Sequence, residues 1–361
     1  MTRSDDFLQV YDLKLTAFCP VFIGDGGTIL KKSYLYDSRT KRVLIFDEKK
    51  FFGLLFEKNL ADQYETFMLG ASGNLFRFLT QDCHLTEKDW LPAVRYTVDA
   101  GAALDANHAF MDIHSFIRNA FGQPYVPGSS VKGALRTVLL QQMILRGAES
   151  HPDLVYNHKT ASEVIPEEKY LHTLQLSENS NDMINSIMRG ISITDSLPIS
   201  DQNMTLFAKL DAHIDGSLNK VNVCRESICP GTEIQLKLIL DQSVLKGVIT
   251  KESIVNAIDE FNAYYCETYL DHFYEPDHMA DVYYDNCLIL GGGAGFFSKS
   301  LAYPYLNEER ALRKVSDFMI RTFRGHNHEK DFQIGISPHT VKYAQYAGGI
   351  YPVDMCGVQI Q

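Results

Sequence analysis

The segment from Pro127 to Arg136 combines residue types that can hold an anion. A glycine follows the proline, and Ser129 or Ser130 is expected to cap a helix that continues to about residue 145. The N–H groups of a first helical turn lack partners within the helix, so they favour phosphate. Lys132 and Arg136 are four residues apart, hence on one helical face. The residues of this segment that could hold a phosphate or an RNA backbone are Gly128, Ser129, Ser130, Lys132, Gly133 and Arg136.

Two other interpretations of this segment compete with a phosphate site. An ordinary capped helix with two solvated cations would have the same sequence. Ser129 and Lys132 also have the spacing of a serine nucleophile and its lysine base, as in penicillin-recognising enzymes. Those enzymes need Ser-Asp-Asn and Lys-Thr-Gly elements as well, and the chain contains neither tripeptide. The spacing therefore does not indicate acyl transfer.

Residues 290–300, Leu-Gly-Gly-Gly-Ala-Gly-Phe-Phe-Ser-Lys-Ser, form a second candidate anion site. Glycine permits unusual backbone angles and close approach of a ligand. The segment nearly matches a P-loop, but Ser298 replaces the glycine that must precede the lysine. We expect a loop that packs against an RNA backbone rather than an NTPase, with a tight turn without ligand as the alternative. The predicted RNA-binding residues are Gly292, Gly293, Gly295 and Lys299.

Two further turn signals flank predicted strands. Residues 11–23 are predicted to form a strand that ends in a glycine turn at 24–27, and two lysines follow that turn. Residues 225–232, Arg-Glu-Ser-Ile-Cys-Pro-Gly-Thr, join two strands. Each signal alone indicates only a turn. As part of an RNA-binding groove, the residues of the first turn that would contact RNA are Gly24, Gly26, Lys31 and Lys32.

An endoribonuclease is the competing enzyme class. Its candidate groups are Asp25, Asp37, His326 and His328, although a His-x-His pair is usually part of a solvated loop. The seven cysteines form no Cys-x-x-Cys pair, so no zinc site is predicted. We therefore assign no catalytic residue, no metal ligand and no cofactor.

Composition limits the kind of RNA site. The net charge of −11 argues against indiscriminate nucleic-acid binding, so an RNA site must be a local basic groove on an acidic body. The chain contains no apolar run of about 20 residues and begins without a secretory pattern. We expect a cytoplasmic protein.

Strands and helices intermix along the chain, which predicts an α+β fold. The predicted strands lie at 11–23, 33–36, 42–46, 95–99, 109–113, 191–194, 205–210, 221–227 and 233–240, with short ones near Val341 and Val358. The predicted helices lie within 47–90 and at 129–145, 252–270 and 307–322.

Taken in order, these segments resemble the RAMP superfamily of CRISPR-associated proteins. The resemblance includes the Ile-Gly-x-Gly turn at 23–26, the helix start at 127–136, Asp195-Ser196, the Arg-Glu…Pro-Gly-Thr join at 225–232 and the late glycine-rich loop. The ending, residues 338–342, 351–352 and 356–358, is similar to that of the type III-A (Csm complex) subunit at the 3′ end of the guide RNA. This resemblance implies two RRM-like or ferredoxin-like modules with helical insertions.

The resemblance also predicts how the chain is organised and what it does. We expect one module at 1–245, with a helical insertion at about 47–92 and an irregular one at about 147–188. The second module, 246–361, carries the glycine-rich loop. The family member is a non-catalytic crRNA-binding subunit that caps the backbone filament at the crRNA 3′ end and supports crRNA maturation and antiviral defence.

The implied partners are the 3′ region of the crRNA and the neighbouring Csm backbone and small subunits, with target RNA as a further candidate and no membrane. Backbone subunits of such complexes cut target RNA with an aspartate in the loop after the first glycine turn. Asp37 lies at a predicted hairpin tip and does not align with that position, which favours a structural role. A RAMP-type endoribonuclease, a type III-B counterpart and a scaffold without RNA contact remain the alternatives.

Overall fold

The computed structural model describes residues 7–70, 73–104, 111–147, 154–157, 162–282 and 284–361. Its strands are β1 Leu8–Ala17, β2 Gly24–Ile29, β3 Tyr34–Asp37, β4 Arg42–Phe46, β5 Val94–Asp99, β6 Ile113–Phe116, β7 Val155–Asn157, β8 Ser162–Val164, β9 Ile191–Ile193, β10 Met204–His213, β11 Leu218–Ile228, β12 Glu233–Asp241, β13 Cys287–Ile289, β14 Thr340–Tyr346, β15 Gly349–Pro352 and β16 Met355–Ile360. Its α-helices are α1 Glu48–Glu57, α2 Ala61–Leu69, α3 Leu75–Arg77, α4 Glu87–Trp90, α5 Gly128–Arg146, α6 Glu168–Leu171, α7 Gln242–Leu245, α8 Lys251–Thr268, α9 Ala302–Tyr305, α10 Glu308–Thr322 and α11 Asp331–Ile334. The predicted α+β class is confirmed.

The first sheet is antiparallel, with strand order β13-β16-β1-β12-β9. Its middle strand, β1, alternates buried Leu13 and Leu15 with the partly exposed Lys14 and Thr16, as expected for a sheet with one covered face. The long helices α5 and α8 pack against each other and against this sheet. Helix α5, which carries the first candidate site, is therefore held by the main core.

The second sheet has the order β2-β6-β11-β10-β5-β4-β3, and β10 also pairs with β14, which in turn pairs with β15. The glycines predicted to end a strand lie within β2 instead. The chain leaves the first sheet at Ala17 and enters the second at Gly24, where the pairing with β6 shifts register. Gly26 adopts a positive φ of 84° in this irregular stretch, which permits the shift.

Strands from the end of the chain complete both sheets. β13 and β16 belong to the first sheet, and β14 and β15 extend the second. The predicted boundary near residue 245 falls between α7 and α8. Each sheet thus contains strands from both sides of that boundary, and the two predicted modules share their sheets.

The predicted helical insertion corresponds to α1–α4. These helices have an apolar cluster of their own, which includes Phe51, Leu55, Phe78, Leu79 and Trp90. The described part of the irregular insertion contains the paired strands β7 and β8, helix α6 and short 3₁₀ turns. Residues 148–153 and 158–161 of that insertion lie outside the described residues. In the described part of the chain no helix is long and apolar enough to cross a membrane.

Candidate nucleic-acid interface

Three of the predicted segments meet around one cavity of about 500 Å³, which we call the glycine groove. The turn before β2, the first two turns of α5 and the glycine-rich loop each form one wall. The groove is lined by Phe22, Ile23, Gly24, Ser130, Gly133, Ala134, Thr137, Gly291, Gly292 and Lys299. The structure therefore brings together five predicted site residues: Gly24, Ser130, Gly133, Gly292 and Lys299.

The glycines of the groove have two different physical roles. Gly291 has a positive φ of 64°, and a Cβ atom there would clash with the carbonyl oxygen of Phe22, so only glycine fits. At Gly133 and Gly292, by contrast, an added Cβ would meet no atom of the described residues within 4 Å, apart from chain neighbours and the backbone of its own helix. These two glycines leave bare backbone facing open space, where the sugar-phosphate chain of a nucleic acid could approach closely.

Asp354, a residue that the sequence analysis missed, connects the walls of the groove. Its buried carboxylate accepts the N–H group of Phe22 (2.8 Å) through Oδ1 and those of Ala294 (2.9 Å) and Gly293 through Oδ2. Burial raises the pKa of Asp354 to about 6, although these hydrogen bonds and the cations Lys299 and Arg225 oppose the shift. A single aspartate near the end of the chain has no spacing signal, so sequence alone could not identify this connection.

Lys299 supplies positive charge to the groove. Its ammonium donates a hydrogen bond to the carbonyl oxygen of Ile289 (2.7 Å). Loss of surrounding water lowers the pKa of Lys299, and the Asp354 carboxylate opposes that change. This lysine is thus held at the groove wall by the end of β13, the strand that leads into the glycine-rich loop.

The start of helix α5 differs from the prediction. Pro127 occupies the cap position, and neither serine caps the helix, so that prediction was wrong. The first N–H group, from Gly128, donates to Oδ1 of Asp195 (2.9 Å), and this carboxylate fills part of the predicted anion site. Burial of Gly128 against the carbonyl oxygen of Ile193 leaves no room for a side chain there. Ser129 is exposed and does not line the groove.

The motif Asp195-Ser196 therefore has a structural explanation. The hydroxyl of Ser196 accepts the N–H group of Val126 (2.9 Å), and the Ser196 N–H group donates to the Val126 carbonyl (2.9 Å). Together with the bond from Gly128 to Asp195, these contacts fix the chain just before α5. The motif positions the helix whose next turn forms the groove wall.

Lys132 and Arg136 line a different cavity, of about 550 Å³, on another face of α5. Residues 132 and 136 lie roughly a third of a turn around the helix from 130, 133 and 137, because each residue advances by about 100°. Arg136 forms an ion pair with Glu167, a residue of the irregular insertion. Burial lowers the pKa of Lys132 and of Arg136. The two cations are not part of the glycine groove.

The lysines after the first turn also lie away from the groove. The ammonium of Lys32 donates to the carbonyl oxygens of Phe67 (3.0 Å), Met68 (2.8 Å) and Gly70 (2.5 Å). These are carbonyls at the end of α2, so Lys32 stabilises a helix terminus. Lys31 is exposed, and its backbone N–H group donates to Asp112 (2.8 Å). Neither lysine nor Gly26 lines the groove.

The rest of the glycine-rich loop packs on the second sheet. A Cβ atom at Gly293 would clash with the Asp354 carboxylate, and Gly295, with a φ of 94°, lies against the Lys342 side chain. Beneath the loop, Arg225 lies 5.0 Å from the Phe22 ring, and its buried Nε and Nη1 atoms have no hydrogen-bond partner among the described residues. Burial lowers the pKa of Arg225. Gly293 and Gly295 therefore support the groove from below instead of lining it.

Arg225 and Glu226 are neighbours on β11 with different surroundings. Glu226 is buried and accepts hydrogen bonds from Arg118 (2.5 Å), the Phe116 N–H group (3.1 Å) and Tyr96 (3.2 Å). Because successive strand residues point to opposite faces, Arg225 faces the glycine-rich loop while Glu226 faces away from it. The Arg-Glu motif thus connects the groove loop to the second sheet.

The nuclease candidates make hydrogen bonds that hold turns. Asp25 accepts the Gly27 N–H group (2.7 Å) and the Ser115 hydroxyl (2.6 Å). Asp37 accepts the Arg39 N–H group (3.0 Å) and the Thr40 hydroxyl (3.0 Å) at the predicted hairpin. The expectation of a solvated His-x-His loop fits the exposed His326 but was wrong for His328, which is buried.

Comparison with known proteins establishes the class. The profile of the RAMP superfamily matches residues 14–359. The chain therefore belongs to the RAMP superfamily, as the sequence motifs predicted.

Within that superfamily, the chain is similar to proteins described as "CRISPR system Cms protein Csm5". It is 26% identical to that of Enterococcus italicus over 348 residues, covering 88% of this chain and 86% of the relative. It is 24% identical to that of Mycobacterium tuberculosis over 386 residues, covering 98% of both chains. These names agree with the predicted type III-A resemblance.

Two solved structures have the same fold. A chain of a Csm-crRNA-target RNA ternary complex from a type III-A CRISPR-Cas system aligns with a TM-score of 0.68, 16% identity, and coverage of 97% of this chain and 100% of the other. Csm5 of T. onnurineus aligns with a TM-score of 0.60, 17% identity, and coverage of 95% and 99%.

Proposed function

We propose that this chain is a non-catalytic crRNA-binding subunit of a type III-A Csm effector complex and that it holds the 3′ region of the crRNA in the glycine groove. The observation that carries this proposal is the convergence of three distant glycine-containing segments on one open groove. Membership of the RAMP superfamily and similarity to Csm5 proteins support the same assignment.

The groove can contact the sugar-phosphate backbone of an RNA without distinguishing its bases. Bare backbone at Gly133 and Gly292, the Ser130 and Thr137 side chains and the Lys299 ammonium can contact phosphate and sugar. Such contacts carry no sequence information, which suits a subunit that must accept any spacer. The acidic remainder of the surface would face solvent and neighbouring subunits, in keeping with the net charge of −11.

The partners that we propose are those expected for a subunit of a Csm complex. We propose contacts with the Csm backbone and small subunits, a position at the end of the backbone filament, a role in crRNA maturation and antiviral defence, and a cytoplasmic location. Target RNA is a further candidate ligand. A type III-B counterpart is the alternative assembly, but the relatives named Csm5 favour type III-A.

A nuclease is the weaker candidate. The two acids considered for cleavage, Asp25 and Asp37, accept hydrogen bonds within local turns, which gives each carboxylate a structural role. No observation places the Asp25 and Asp37 carboxylates together at a scissile phosphate. We therefore place target cleavage in the neighbouring subunits.

Photo-crosslinking tests the proposed groove. The crRNA would carry 4-thiouridine at successive positions near its 3′ end and would be assembled into the complex before irradiation. We expect crosslinked peptides from the turn at Phe22 and from the loop at Gly292. A crosslink map that places the crRNA 3′ region only on other subunits, in a complete complex, would refute the assignment.

A further inference from the structure

A cluster of two histidines and an aspartate lies away from the glycine groove, where α11 meets β14. Asp331, the first residue of α11, is fully buried, His328 is buried and His339 is 13% exposed. The Nδ1 atom of His328 lies 2.9 Å from Oδ2 of Asp331, and that of His339 lies 2.5 Å from Oδ1. One potential ligand atom from each residue lies within 4.8 Å of the others. We call these three residues the His–Asp cluster.

We propose that the His–Asp cluster binds a divalent transition-metal ion of the Zn²⁺ class. Two imidazole nitrogens and one carboxylate oxygen are a donor set that zinc accepts, with a fourth position left for water or another side chain. Ligand atoms about 2 Å from a tetrahedral ion are roughly 3.3 Å apart, so the nitrogen–oxygen separations of 2.9 and 2.5 Å would each have to lengthen by less than about 1 Å to admit an ion. Nitrogen donors also favour such an ion over Mg²⁺, which prefers oxygen.

A fourth side chain, that of Ser337, holds the carboxylate of Asp331 in place. The Ser337 hydroxyl donates to Oδ2 (2.5 Å), and the Ser337 backbone is fixed in turn by the Tyr303 hydroxyl (3.0 and 3.1 Å). Such outer partners orient ligands in metal sites. The cluster is therefore preorganised.

Two more histidines lie beside the cluster. The ring of His213, at the end of β10, stacks on that of His339 with 6.3 Å between centroids, and its Nε2 atom lies 2.7 Å from Nδ2 of Asn219. The exposed ring of His326 lies 6.3 Å from that of His328. Either His213 or His326 could approach the fourth ligand position of the ion.

The predicted ion would have a structural role. His328 and Asp331 belong to the connection after α10, whereas His339 directly precedes β14 of the second sheet. One ion bound to all three would tie this connection to the sheet edge. No metal site was predicted from the sequence because the recognisable signals are cysteine pairs and the pair His326-x-His328, whereas the ligand spacing is His-x₂-Asp-x₇-His.

Metal titration of the full-length protein tests the proposal. Protein stripped with a chelator would be titrated with Zn²⁺ by calorimetry and with Co²⁺ by visible absorption, with Mg²⁺ as a comparison ion. We expect one Zn²⁺ per chain, Co²⁺ bands typical of nitrogen and oxygen ligands, and no comparable Mg²⁺ binding. Absence of Zn²⁺ binding to the folded wild-type protein would overturn the proposal.

Variants locate the site. His339→Ala and His328→Ala should each weaken Zn²⁺ binding ten-fold or more, in line with the loss of a ligand. His272→Ala, which changes an exposed histidine outside the cluster, should leave the affinity unchanged. Circular dichroism would confirm that each variant is folded. Wild-type affinity in folded forms of both cluster variants would place the ion elsewhere and refute this assignment.

Discussion

Asp354 accepts the backbone N–H group of Phe22 at 2.8 Å, and 332 positions of sequence separate the two residues. The same carboxylate accepts the Ala294 N–H group at 2.9 Å. One side chain thus fixes the first glycine turn relative to the glycine-rich loop. The shape of the groove depends on this buried acid, although Asp354 does not itself line the groove.

The pKa of Asp354 gives a pH-dependent stability. Burial raises this pKa to about 6 in the folded chain, above the value of 3.8 for an unperturbed aspartate. The contribution of this group to the free energy of unfolding is therefore complete below about pH 4 and is lost as pH rises through about 6. The full change is at most about 3 kcal/mol, from about two pKa units at 1.36 kcal/mol each.

Asp354→Asn isolates that effect because asparagine does not titrate. Urea unfolding of both proteins between about pH 4 and pH 7 gives the difference in the free energy of unfolding, wild type minus variant. We expect that difference to fall as pH rises. A constant difference across the range would show that the Asp354 carboxyl does not titrate in that range.

Gly133 permits a test that separates folding from binding. The position is exposed on α5, and no described atom outside that helix lies near an added Cβ. Gly133→Ala should stabilise the helix by about 1 kcal/mol and lower RNA affinity only slightly, because one methyl group fills little of the groove. Gly133→Glu would place a carboxylate in the groove, and we expect at least a ten-fold loss of crRNA affinity, measured by fluorescence anisotropy. Equal affinities for the two variants, both folded, would contradict RNA binding in the groove.

The segments that meet at the groove were easier to recognise in the sequence than the partners of the cations. Gly24, Ser130, Gly133 and Gly292 line the groove and belong to glycine and hydroxyl clusters, which can be recognised locally, and their binding of RNA stays a prediction. The partners of cations cannot be recognised in this way, because a lysine binds whichever oxygen atom the fold brings near. Lys32 finds carbonyls at the end of α2, and Arg136 finds Glu167. Neither partner is adjacent in sequence, so neither outcome could be predicted.

The fold class could be predicted from the sequence, but the pairing of distant strands could not. Most strands and the long helices lie within a few residues of their predicted positions, since alternation and helical periodicity are local signals. The sharing of both sheets by the two ends of the chain is a long-range property. β16 pairs with β1 through contacts such as Leu15 with Val358, which no local pattern encodes. The predicted division into modules at 1–245 and 246–361 therefore stays a prediction.

Variants in the two cavities that α5 lines distinguish between two positions for the RNA site. Lys299→Met should lower crRNA affinity and reduce the slope of log affinity against log salt by about one, since it removes one cation from the groove. The double variant Lys132→Ala with Arg136→Ala removes cations that line the other cavity, where Glu167 pairs with Arg136. We expect it to have the smaller effect. The reverse order, from anisotropy across a salt series, would move the proposed RNA site to the cavity lined by Lys132.

A variant of Asp37 tests whether this chain is catalytic, because the hydrogen bonds of Asp37 indicate only a role in a turn. Its Oδ1 atom accepts the N–H group of Arg39 (3.0 Å) and its Oδ2 atom accepts the Thr40 hydroxyl (3.0 Å). Although partial burial raises the pKa of Asp37, these hydrogen bonds outweigh that effect and lower it, so the carboxylate is ionised and acts as an acceptor.

In complexes rebuilt with Asp37→Asn, the ladder of target-RNA cuts should keep its spacing and rates. Asparagine retains an oxygen for the Arg39 N–H group, so the hairpin between β3 and β4 should persist. Asp25→Asn tests the other candidate carboxylate in the same way, since Asp25 also accepts a nearby N–H group, that of Gly27 (2.7 Å). The assay requires normal crRNA length and complex yield for each variant. Loss of one specific cut with either variant would place a catalytic carboxylate in this chain, because a turn-forming residue could not remove a single product and leave the others.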